Sequence, residues 1–422
     1  MAGFLIAKSG PLKGRVTISG AKNAALPVMA ATLLTEDICL LEGVPVLEDI
    51  NVMSELLTYF GAQIERQGTA LKIDNSNVKP GPAPIDLVRR MRASFLVMGG
   101  LLSRFGSAKI SLPGGCAIGT RPIDLHLKGL AAMGADITLG HGYIEARAER
   151  LTGGRIYLDF PSVGATENIM IAAALANGHT VLENAAGEPE IIDLANFING
   201  MGGHVRGAGT DTIKIEGVKK LSGCSHTIIP DRIEAGTYMA AAAIAGGDII
   251  LTNVIEEHLR PVEAKLQEAG IQIYSVDEGL RVICERDKPG QCPLAPLDLK
   301  TMPYPGFPTD MQPQMMALMC TIPGTSMITE TVFENRFLHV SELKRLGAKI
   351  KIEGRTAIIE GTEHLQGAQV KATDLRAGAA LVLAGLAAKG TTEVTDIHHI
   401  ERGYEDMDIK LRMLGAIIKR IP

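Results

Sequence analysis

The segment "RLGAKI" at residues 345–350 decides the fold, because close copies of it recur along the chain. The copies are "YFGAQI" (59–64), "AMGADI" (132–137), "GMGGHV" (200–205), "EAGIQI" (268–273) and "MLGAII" (413–418). Each copy joins the end of a helical pattern to a glycine and then to a short strand pattern. The glycines are 73, 68, 68, 77 and 68 residues apart. A spacing kept over the whole chain predicts six copies of one structural unit.

Each unit also contains a helical segment that is apolar on nearly all sides. Examples are "ATENIMIAAALANGHTVLENA" (165–185) and "EAGTYMAAAAIAGGDIILTNV" (234–254), in which the helix precedes a strand. A helix of this kind is buried. The helix before the glycine is instead amphipathic, as in "VSELKRLGAKI" (340–350), and the glycine ends it. Each unit is therefore predicted to run helix, strand, helix, strand, strand.

Three such units form a closed domain if their buried helices pack together inside the sheets and amphipathic helices. The predicted fold class is α/β, with two inverse α/β barrel-like domains of three units each. Repeats one to three fit residues 22–229, and residues 1–21 plus 230–422 form the second domain. A chain of 422 residues exceeds the usual size of a single core. An open solenoid is the alternative, although solenoid helices are seldom apolar all round.

Composition excludes several classes of protein. The chain is 46% hydrophobic and 21% charged, as is typical of a soluble globular protein. A net charge of −5 and the absence of Trp argue against a nucleic-acid partner. No apolar run approaches the ~20 residues of a membrane span, and the apolar core of the N-terminal segment is too short for a signal peptide. We therefore expect a cytoplasmic protein without a membrane partner.

The six cysteines are dispersed and form no C-x-x-C pair. The sequence therefore predicts no disulfide framework, and no motif implies a metal or another cofactor. Cys39, Cys284 and Cys320 lie in apolar segments and are predicted to be core residues.

Polar and charged residues are concentrated at the predicted N-termini of the buried helices. They include Lys22 with Asn23, Arg92, Thr166, Thr309 with Asp310, and Asp374 with Arg376. Thr and Asp at such positions are ordinary caps, which explains Thr166, Thr309 and Asp374. A cation at the positive end of a helix is unfavourable unless an anion offsets it. Together with Arg121, Arg336 and Arg402 near the other helices, these cations predict one polyvalent anionic ligand between the two domains.

The stretch "LPGGCAIGTRPIDLH" (112–126) places Cys116 among three glycines. Thr120 is predicted to cap the following helix, with Arg121 and Pro122 in its first turn. The N-terminus of this helix and the positive charge of Arg121 both favour a reactive thiol at Cys116. The alternative is a passive exposed thiol. His126 serves in packing or in the site, and the sequence leaves both open. Asp310 in "FPTDMQPQMM" (307–316) is either a cap or a general base.

Seven motifs together resemble those of one known family. They are "SGAKNAALP" (19–27), "MRAS" (91–94), "SLPGGCAIGTRPIDLHL" (111–127), "FPTDMQ" (307–312), "TVFENRF" (331–337), "ATDLRA" (372–377) and "ERGYE" (401–405). In this order they resemble the UDP-N-acetylglucosamine 1-carboxyvinyltransferase family over essentially the whole chain. The related 5-enolpyruvylshikimate-3-phosphate synthase family shares the six-repeat fold. It lacks the loop with the cysteine, so the loop favours the first family.

The resemblance implies a reaction and the residues that carry it. Enolpyruvate passes from phosphoenolpyruvate to the 3′-hydroxyl of UDP-N-acetylglucosamine, phosphate leaves, and two domains close over the substrates. This is the first committed step of peptidoglycan synthesis. The implied catalytic residues are Cys116 as proton donor, Asp310 at the sugar hydroxyl, and Lys22 and Arg402 at phosphoenolpyruvate.

The resemblance also implies a larger set of substrate-binding residues. They are Lys22, Asn23, Arg92, Arg121, Pro122, Ile123, Asp124, Leu125, Ser162, Val163, Gly164, Asp310, Val332, Arg336, Asp374, Arg376 and Arg402. The chain departs from the family at Phe160, where some members carry a lysine, so a contact with the uridine diphosphate from this position is not implied. A shikimate 3-phosphate transferase and a catalytically silent UDP-sugar sensor are the alternatives. The expected oligomeric state is a monomer or a weak homo-oligomer.

Overall fold

The computed structural model describes residues 2–112, 123–140, 142–285, 294–362 and 364–422. These residues form two compact units. Of the described residues, the first unit comprises 20–112, 123–140 and 142–229, and the second comprises 2–19, 230–285, 294–362 and 364–422. Each unit has its own apolar core. Among the described residues, no helix is both long enough and apolar enough to cross a membrane.

The described residues contain fourteen α-helices. In chain order they are α1 (Lys22–Ala31), α2 (Glu48–Tyr59), α3 (Ile85–Arg90), α4 (Val97–Phe105), α5 (Asp124–Ala132), α6 (Val163–Ala173), α7 (Pro189–Gly200), α8 (Arg232–Ala245), α9 (Arg260–Glu268), α10 (Gln312–Met319), α11 (Val340–Arg345), α12 (Leu375–Ala387), α13 (His398–Glu401) and α14 (Met407–Met413). Four short 3-10 helices cover Thr32–Leu34, Arg92–Leu96, Glu256–His258 and Thr309–Met311.

Twenty-three strands accompany these helices in the described ranges. The first thirteen are β1 (Gly3–Ala7), β2 (Leu12–Thr17), β3 (Cys39–Glu42), β4 (Gln63–Gln67), β5 (Ala70–Asp74), β6 (Ser107–Ser111), β7 (Asp136–Gly140), β8 (Tyr143–Arg147), β9 (Arg155–Tyr157), β10 (His179–Glu183), β11 (His204–Arg206), β12 (Thr212–Glu216) and β13 (Ser225–Thr227). The others are β14 (Gly247–Thr252), β15 (Gln272–Val276), β16 (Gly279–Cys284), β17 (Asp298–Lys300), β18 (Thr325–Thr329), β19 (Lys349–Glu353), β20 (Thr356–Glu360), β21 (Gln369–Lys371), β22 (Thr391–Thr395) and β23 (Ile418–Ile421).

Each unit has three small sheets. The first unit has the strand orders β13-β3-β5-β4, β6-β8-β7 and β11-β12-β10-β9, and the second has β15-β16-β14-β2, β17-β18-β20-β19 and β21-β22-β1-β23. In the sheet of β17 to β20, β17 and β18 are parallel, and β18 and β19 both pair antiparallel with β20. The N-terminal strands β1 and β2 pair with β22, β23 and β14, so residues 2–19 belong to the second unit.

The repeat contains one strand more than the sequence predicts. In five of the six sheets, the strand that follows a buried helix pairs in parallel with this additional strand. In three sheets the additional strand precedes the buried helix of the same repeat, as β9, β17 and β21 do. In the other two it comes from another part of the chain, as β13 does for β3 and β2 does for β14. The predicted unit of helix, strand, helix, strand, strand is wrong in omitting it. Four of these strands, β9, β13, β17 and β21, have only three residues. A segment that short has too few residues to establish a two-residue alternation.

The buried helices pack against one another inside each unit. Helices α1, α4 and α6 contact one another in the first unit, and α8, α10 and α12 do so in the second. The contact between the first and third helix of each set closes the unit, whereas the repeats of an open solenoid contact only their neighbours. The predicted α/β fold class is therefore confirmed and the solenoid is excluded.

The six repeat glycines end the amphipathic helices, as the sequence predicts. Their φ angles lie between 86° and 109° at Gly61, Gly134, Gly202, Gly270, Gly347 and Gly415. A residue with a side chain is strained in this left-handed region, whereas glycine is not. The glycine thus sets the point at which each helix turns into the next strand.

Candidate functional site

Asp310 lies between two buried arginines in the second unit. Its 3-10 helix, Thr309–Met311, leads directly into α10. Asp310 Oδ1 accepts a hydrogen bond from Arg336 Nη2 at 3.0 Å, and Oδ2 accepts from Arg376 Nε at 3.3 Å and Nη2 at 3.2 Å. The side chain of Asp310 is 28% exposed, whereas those of Arg336 and Arg376 are 2% and 4% exposed. The carboxylate is therefore the accessible part of a buried cluster with one negative and two positive charges.

Helix α12 brings Arg376 to this cluster. The carboxylate of Asp374 caps the helix by accepting from the backbone N–H groups of Arg376 and Ala377, both at 3.0 Å. The Arg376 guanidinium lies 5.2 Å from the centre of the Tyr404 ring. Burial lowers the pKa of Arg376, but the facing Tyr404, Asp310 and Asp231 outweigh this effect and raise the pKa above its usual value. Arg376 is thus a permanent cation.

A buried carboxylate, Glu330, joins the two segments that carry Asp310 and Arg336. It accepts from the hydroxyls of Thr301 at 2.8 Å and Thr309 at 2.9 Å. It also accepts from the backbone N–H groups of Val332 at 2.8 Å and Phe333 at 3.2 Å. Thr309 therefore donates to Glu330, and its expected role as a helix cap is wrong. Sequence analysis missed Glu330, although it directly precedes the motif "TVFENRF".

Several nitrogens of this cluster have no hydrogen-bond partner within the described residues. They are Nε of Arg336, Nη1 of Arg376 and Nε2 of His339. Burial and the nearby Arg336 lower the pKa of His339 to about 4 against the opposing effect of Asp374, so His339 is neutral at pH 7. The Arg336 and Arg376 nitrogens carry N–H groups, and a buried N–H group without a partner costs free energy that an accepting group on a ligand offsets. The cluster is therefore suited to an anion.

Arg402 lies at the C-terminal end of α13, before α14, and is half-buried. Val332 is also half-buried. The second unit thus holds six of the predicted residues, of which Asp310, Arg336 and Arg376 are in direct contact.

In the first unit, Lys22 is the first residue of α1 and pairs with a buried carboxylate. Its Nζ lies 2.9 Å from Oδ2 of Asp49, in the first turn of α2, and the two side chains are 11% and 4% exposed. A carboxylate of the protein therefore partners Lys22 in this structure, and the binding of a ligand by Lys22 stays a prediction. Asn23 follows Lys22 and is half-buried.

Six further predicted residues that the structure describes in the first unit lie at the N-terminal ends of α5 and α6. Asp124 is exposed, while Ile123, Leu125, Ser162, Val163 and Gly164 are half-buried. Ser162 caps α6 by accepting from the N–H of Ala165 at 3.4 Å. A Cβ atom on Gly164 would lie 3.3 Å from the His126 ring, so the two helix ends are packed closely.

Helix α5 begins at Asp124 with Ile123 as its cap residue, while Thr120, the predicted cap, lies outside the described residues. The prediction that Thr166 caps α6 is wrong. Thr166 accepts from the backbone N–H of Ala186 at 3.0 Å rather than capping α6. Arg92 begins the 3-10 helix before α4 and is half-buried.

His126 has a packing role. Its Nδ1 lies 3.1 Å from Nδ2 of Asn168, and its ring meets the ring of Phe95 edge-on at 5.1 Å. Burial, together with the nearby positive charge of Arg92, lowers the pKa of His126 to about 3. Of the two roles that the sequence leaves open, the neutral, buried imidazole fits packing.

The depressed pKa of His126 predicts a loss of stability at low pH. The contribution is complete above the usual histidine pKa of 6.5 and is lost as the pH falls towards 3. Between pH 7 and pH 5 it lowers the free energy of unfolding by about 2 kcal/mol. Denaturant titrations at pH 7 and pH 5 give the loss of unfolding free energy for the unmodified chain and for His126→Gln. The difference between the two losses measures the contribution of His126. His179→Gln, at an exposed position, should keep the full loss; an equal loss in His126→Gln contradicts the assignment.

Cys116, Arg121 and Pro122 lie outside the described residues, so their predicted roles stay predictions. Cys39, Cys284 and Cys320 are buried, as predicted. Burial raises the pKa of Cys39 to about 11 and that of Cys320 to about 12, which makes these thiols poor nucleophiles at pH 7. Phe160, at the position that departs from the family, is 44% exposed.

Comparisons with known proteins agree over almost the whole chain. The family model described as EPSP synthase (3-phosphoshikimate 1-carboxyvinyltransferase) matches residues 6–411. UDP-N-acetylglucosamine 1-carboxyvinyltransferase 1 of Caldanaerobacter subterraneus is 63% identical over 417 residues, which is 99% of each chain. UDP-N-acetylglucosamine 1-carboxyvinyltransferase 2 of Carboxydothermus hydrogenoformans is 60% identical over 421 residues, which is 100% of each chain.

Solved structures match the fold as well. The enolpyruvyl transferase NikO from Streptomyces tendae has a TM-score of 0.89 at 27% identity, with 100% of this chain and 99% of that chain covered. EPSP synthase from Acinetobacter baumannii has a TM-score of 0.76 at 19% identity over 100% of both chains, a likeness of fold alone.

Proposed function

We infer that this chain, which belongs to the UDP-N-acetylglucosamine 1-carboxyvinyltransferase family, transfers enolpyruvate from phosphoenolpyruvate to the 3′-hydroxyl of UDP-N-acetylglucosamine and releases phosphate. The 63% identity to a relative of that name over 99% of both chains supports the choice of acceptor. The reaction is the first committed step of peptidoglycan synthesis, and we propose that it takes place in the cytoplasm.

The reaction divides into an addition and an elimination. In the addition, the 3′-oxygen of the sugar bonds to C2 of phosphoenolpyruvate, a proton reaches C3, and the hydroxyl proton leaves to a base. In the elimination, the bond from C2 to the phosphate oxygen breaks and C3 loses a proton, which restores the double bond. The protein must therefore supply a base, an acid and positive charge at the phosphate and carboxylate.

Asp310 is proposed as the group that positions and deprotonates the 3′-hydroxyl. The observation that carries this assignment is its carboxylate, accessible to solvent yet held on both oxygens by buried arginines. Two guanidinium groups fix the carboxylate in one orientation, which a base needs in order to meet a single hydroxyl. The nitrogens of Arg336 and Arg376 that lack partners within the described residues remain available for an anionic group of the substrates.

The remaining roles are proposed from the family. Lys22, Arg121 and Arg402 bind the phosphate and carboxylate of phosphoenolpyruvate, and Cys116 gives the proton to C3. Asp374 and Arg376 assist the elimination or closure. The UDP-sugar is held by Asn23, Arg92, Arg121, Pro122, Ile123, Asp124, Leu125, Ser162, Val163, Gly164 and Val332. We propose domains of residues 22–229 and of residues 1–21 plus 230–422, in a monomer or weak homo-oligomer.

Phosphate release tests the choice of acceptor. The purified chain is incubated with phosphoenolpyruvate and either UDP-N-acetylglucosamine or shikimate 3-phosphate, and phosphate is measured over time. We expect release with the UDP-sugar alone. Release with shikimate 3-phosphate alone would instead favour the activity after which the matching family model is described. Binding of the UDP-sugar without any turnover would favour a silent sensor.

An epoxide analogue of phosphoenolpyruvate should alkylate Cys116. Intact-mass measurement should find one adduct per chain, which disappears in Cys116→Ser. Cys224→Ser is the matched control and should keep the adduct, because burial raises the pKa of the Cys224 thiol and makes it a poor nucleophile. Cys116→Asp should resist the analogue and keep turnover, since a carboxylic acid can also donate a proton. An adduct on any other cysteine contradicts the assignment.

A further inference from the structure

We propose that Tyr404 is a positioning residue for Asp310, acting through Arg376. This inference rests on the proposed function and deepens it, because it concerns how the base of the addition step is held. The ring of Tyr404 lies beside the guanidinium of Arg376, which in turn binds Oδ2 of Asp310.

The Tyr404 hydroxyl belongs to a buried hydrogen-bond network with Thr237 and Gln314. Thr237 Oγ1 donates its hydrogen to the backbone oxygen of Ile233 at 2.7 Å, so Thr237 can only accept from its other neighbours. The Tyr404 hydroxyl, 2.9 Å from Thr237 Oγ1, therefore donates to it. Gln314 Nε2 uses its two hydrogens on Thr237 Oγ1 at 3.1 Å and on Tyr404 Oη at 3.0 Å.

This network joins two of the three buried helices to the segment that carries Tyr404. Thr237 lies on α8 and Gln314 on α10, and Tyr404 follows α13. Tyr404 is 2% exposed, and Thr237 and Gln314 are fully buried. Because each of these groups is buried and hydrogen-bonded to the others, the ring is held in one orientation.

The ring provides the support that Arg376 does not obtain from its hydrogen bonds. Both bonds from Arg376 to Asp310, at 3.2 and 3.3 Å, are longer than is usual for charged pairs. The guanidinium lies 5.2 Å from the centre of the Tyr404 ring, within the range of a cation–π contact. A fixed ring limits how far the guanidinium can move away from the carboxylate.

Tyr404→Phe tests the inference, because it keeps the ring and removes the hydroxyl that fixes it. We expect kcat to fall about ten-fold, with KM for both substrates within about two-fold, because the hydroxyl acts on the geometry of the reacting groups and not on binding. In an Arg376→Lys background, the same change should alter kcat by less than about two-fold, because the residue through which Tyr404 acts has already been replaced.

Tyr238→Phe is the matched control. Tyr238 is fully buried in α8 beside Thr237, and its hydroxyl has no hydrogen-bond partner among the described residues. Its removal should leave kcat within about two-fold, since no contact is lost. If Tyr404→Phe fails to fold, Thr237→Val removes the acceptor of the Tyr404 hydroxyl and should lower kcat with the same unchanged KM values.

The outcomes separate this inference from the proposed function. Absence of turnover by the unmodified chain overturns both. Turnover by the unmodified chain with an undiminished kcat in Tyr404→Phe overturns the inference alone. An equal loss in the unmodified and the Arg376→Lys backgrounds also overturns it, because a purely structural role would reduce both by the same factor.

Discussion

Replacing Asp310 by Asn is expected to lower kcat about a thousand-fold, because an amide cannot take the proton of the 3′-hydroxyl. The side chain keeps its size and can still accept from one arginine, so the change removes charge and basicity more than shape. It also leaves Arg336 and Arg376 without the carboxylate that both contact. Steady-state kinetics with both substrates measure the loss, and a thermal melt shows whether the variant is folded.

Asp248→Asn is the control for this experiment. Asp248 also binds an arginine through both carboxylate oxygens, to Arg281 at 2.8 and 2.6 Å, but both side chains of this pair, on β14 and β16, are partly exposed to solvent. Its replacement should leave kcat unchanged within about two-fold, because surface ion pairs contribute little to the fold and this pair belongs to none of the proposed roles. A folded Asp310→Asn variant with kcat close to that of the unmodified chain contradicts the assignment of the base.

Replacing Glu330 by Ala is expected to lower the free energy of unfolding by about 3 kcal/mol. Glu330 is 1% exposed, and its removal leaves two hydroxyls and two backbone N–H groups without an acceptor. The same change should lower kcat, because Glu330 joins the turn before Asp310 to the loop before Arg336. Denaturant titration measures the first effect and initial rates measure the second.

Glu353→Ala provides the comparison for Glu330. Glu353 ends strand β19 and pairs with Lys351 on the surface, where both side chains are mostly exposed. Its unfolding curve should coincide with that of the unmodified chain. If Glu330→Ala unfolds at the same denaturant concentration as Glu353→Ala, the buried carboxylate does not organise this part of the second unit.

The repetitive part of the fold could be predicted from the sequence because periodic patterns are local. The glycines at 61, 134, 202, 270, 347 and 415 recur at a nearly constant spacing, and the apolar helices between them are continuous runs of residues. The short strands that precede the buried helices were missed because their pairing is not local in the sequence. The pairing of β13 with β3 joins residues more than 180 positions apart, and three residues carry no pattern that identifies such a partner.

Residues of the candidate site could be predicted where a cation lies at the unfavourable N-terminal end of a helix. They could not be predicted where the role of a residue depends on a partner distant in the sequence. Lys22 and Arg376 stand out as cations at helix N-termini, and Asp310 stands out beside them. Asp49 and Glu330 do not, because each is an acidic residue whose burial and partners only the folded chain determines. The pairing of Lys22 with Asp49, a carboxylate of the protein itself, was missed in this way.

The product of the reaction tests the central claim most directly. The purified chain is incubated with phosphoenolpyruvate and UDP-N-acetylglucosamine, and the nucleotide product is isolated for mass spectrometry and NMR. The account predicts an enolpyruvyl ether on the 3′-oxygen of the sugar and one phosphate released for each ether formed. Recovery of the unmodified UDP-sugar, while shikimate 3-phosphate is converted to its enolpyruvyl ether in a parallel reaction, would contradict it.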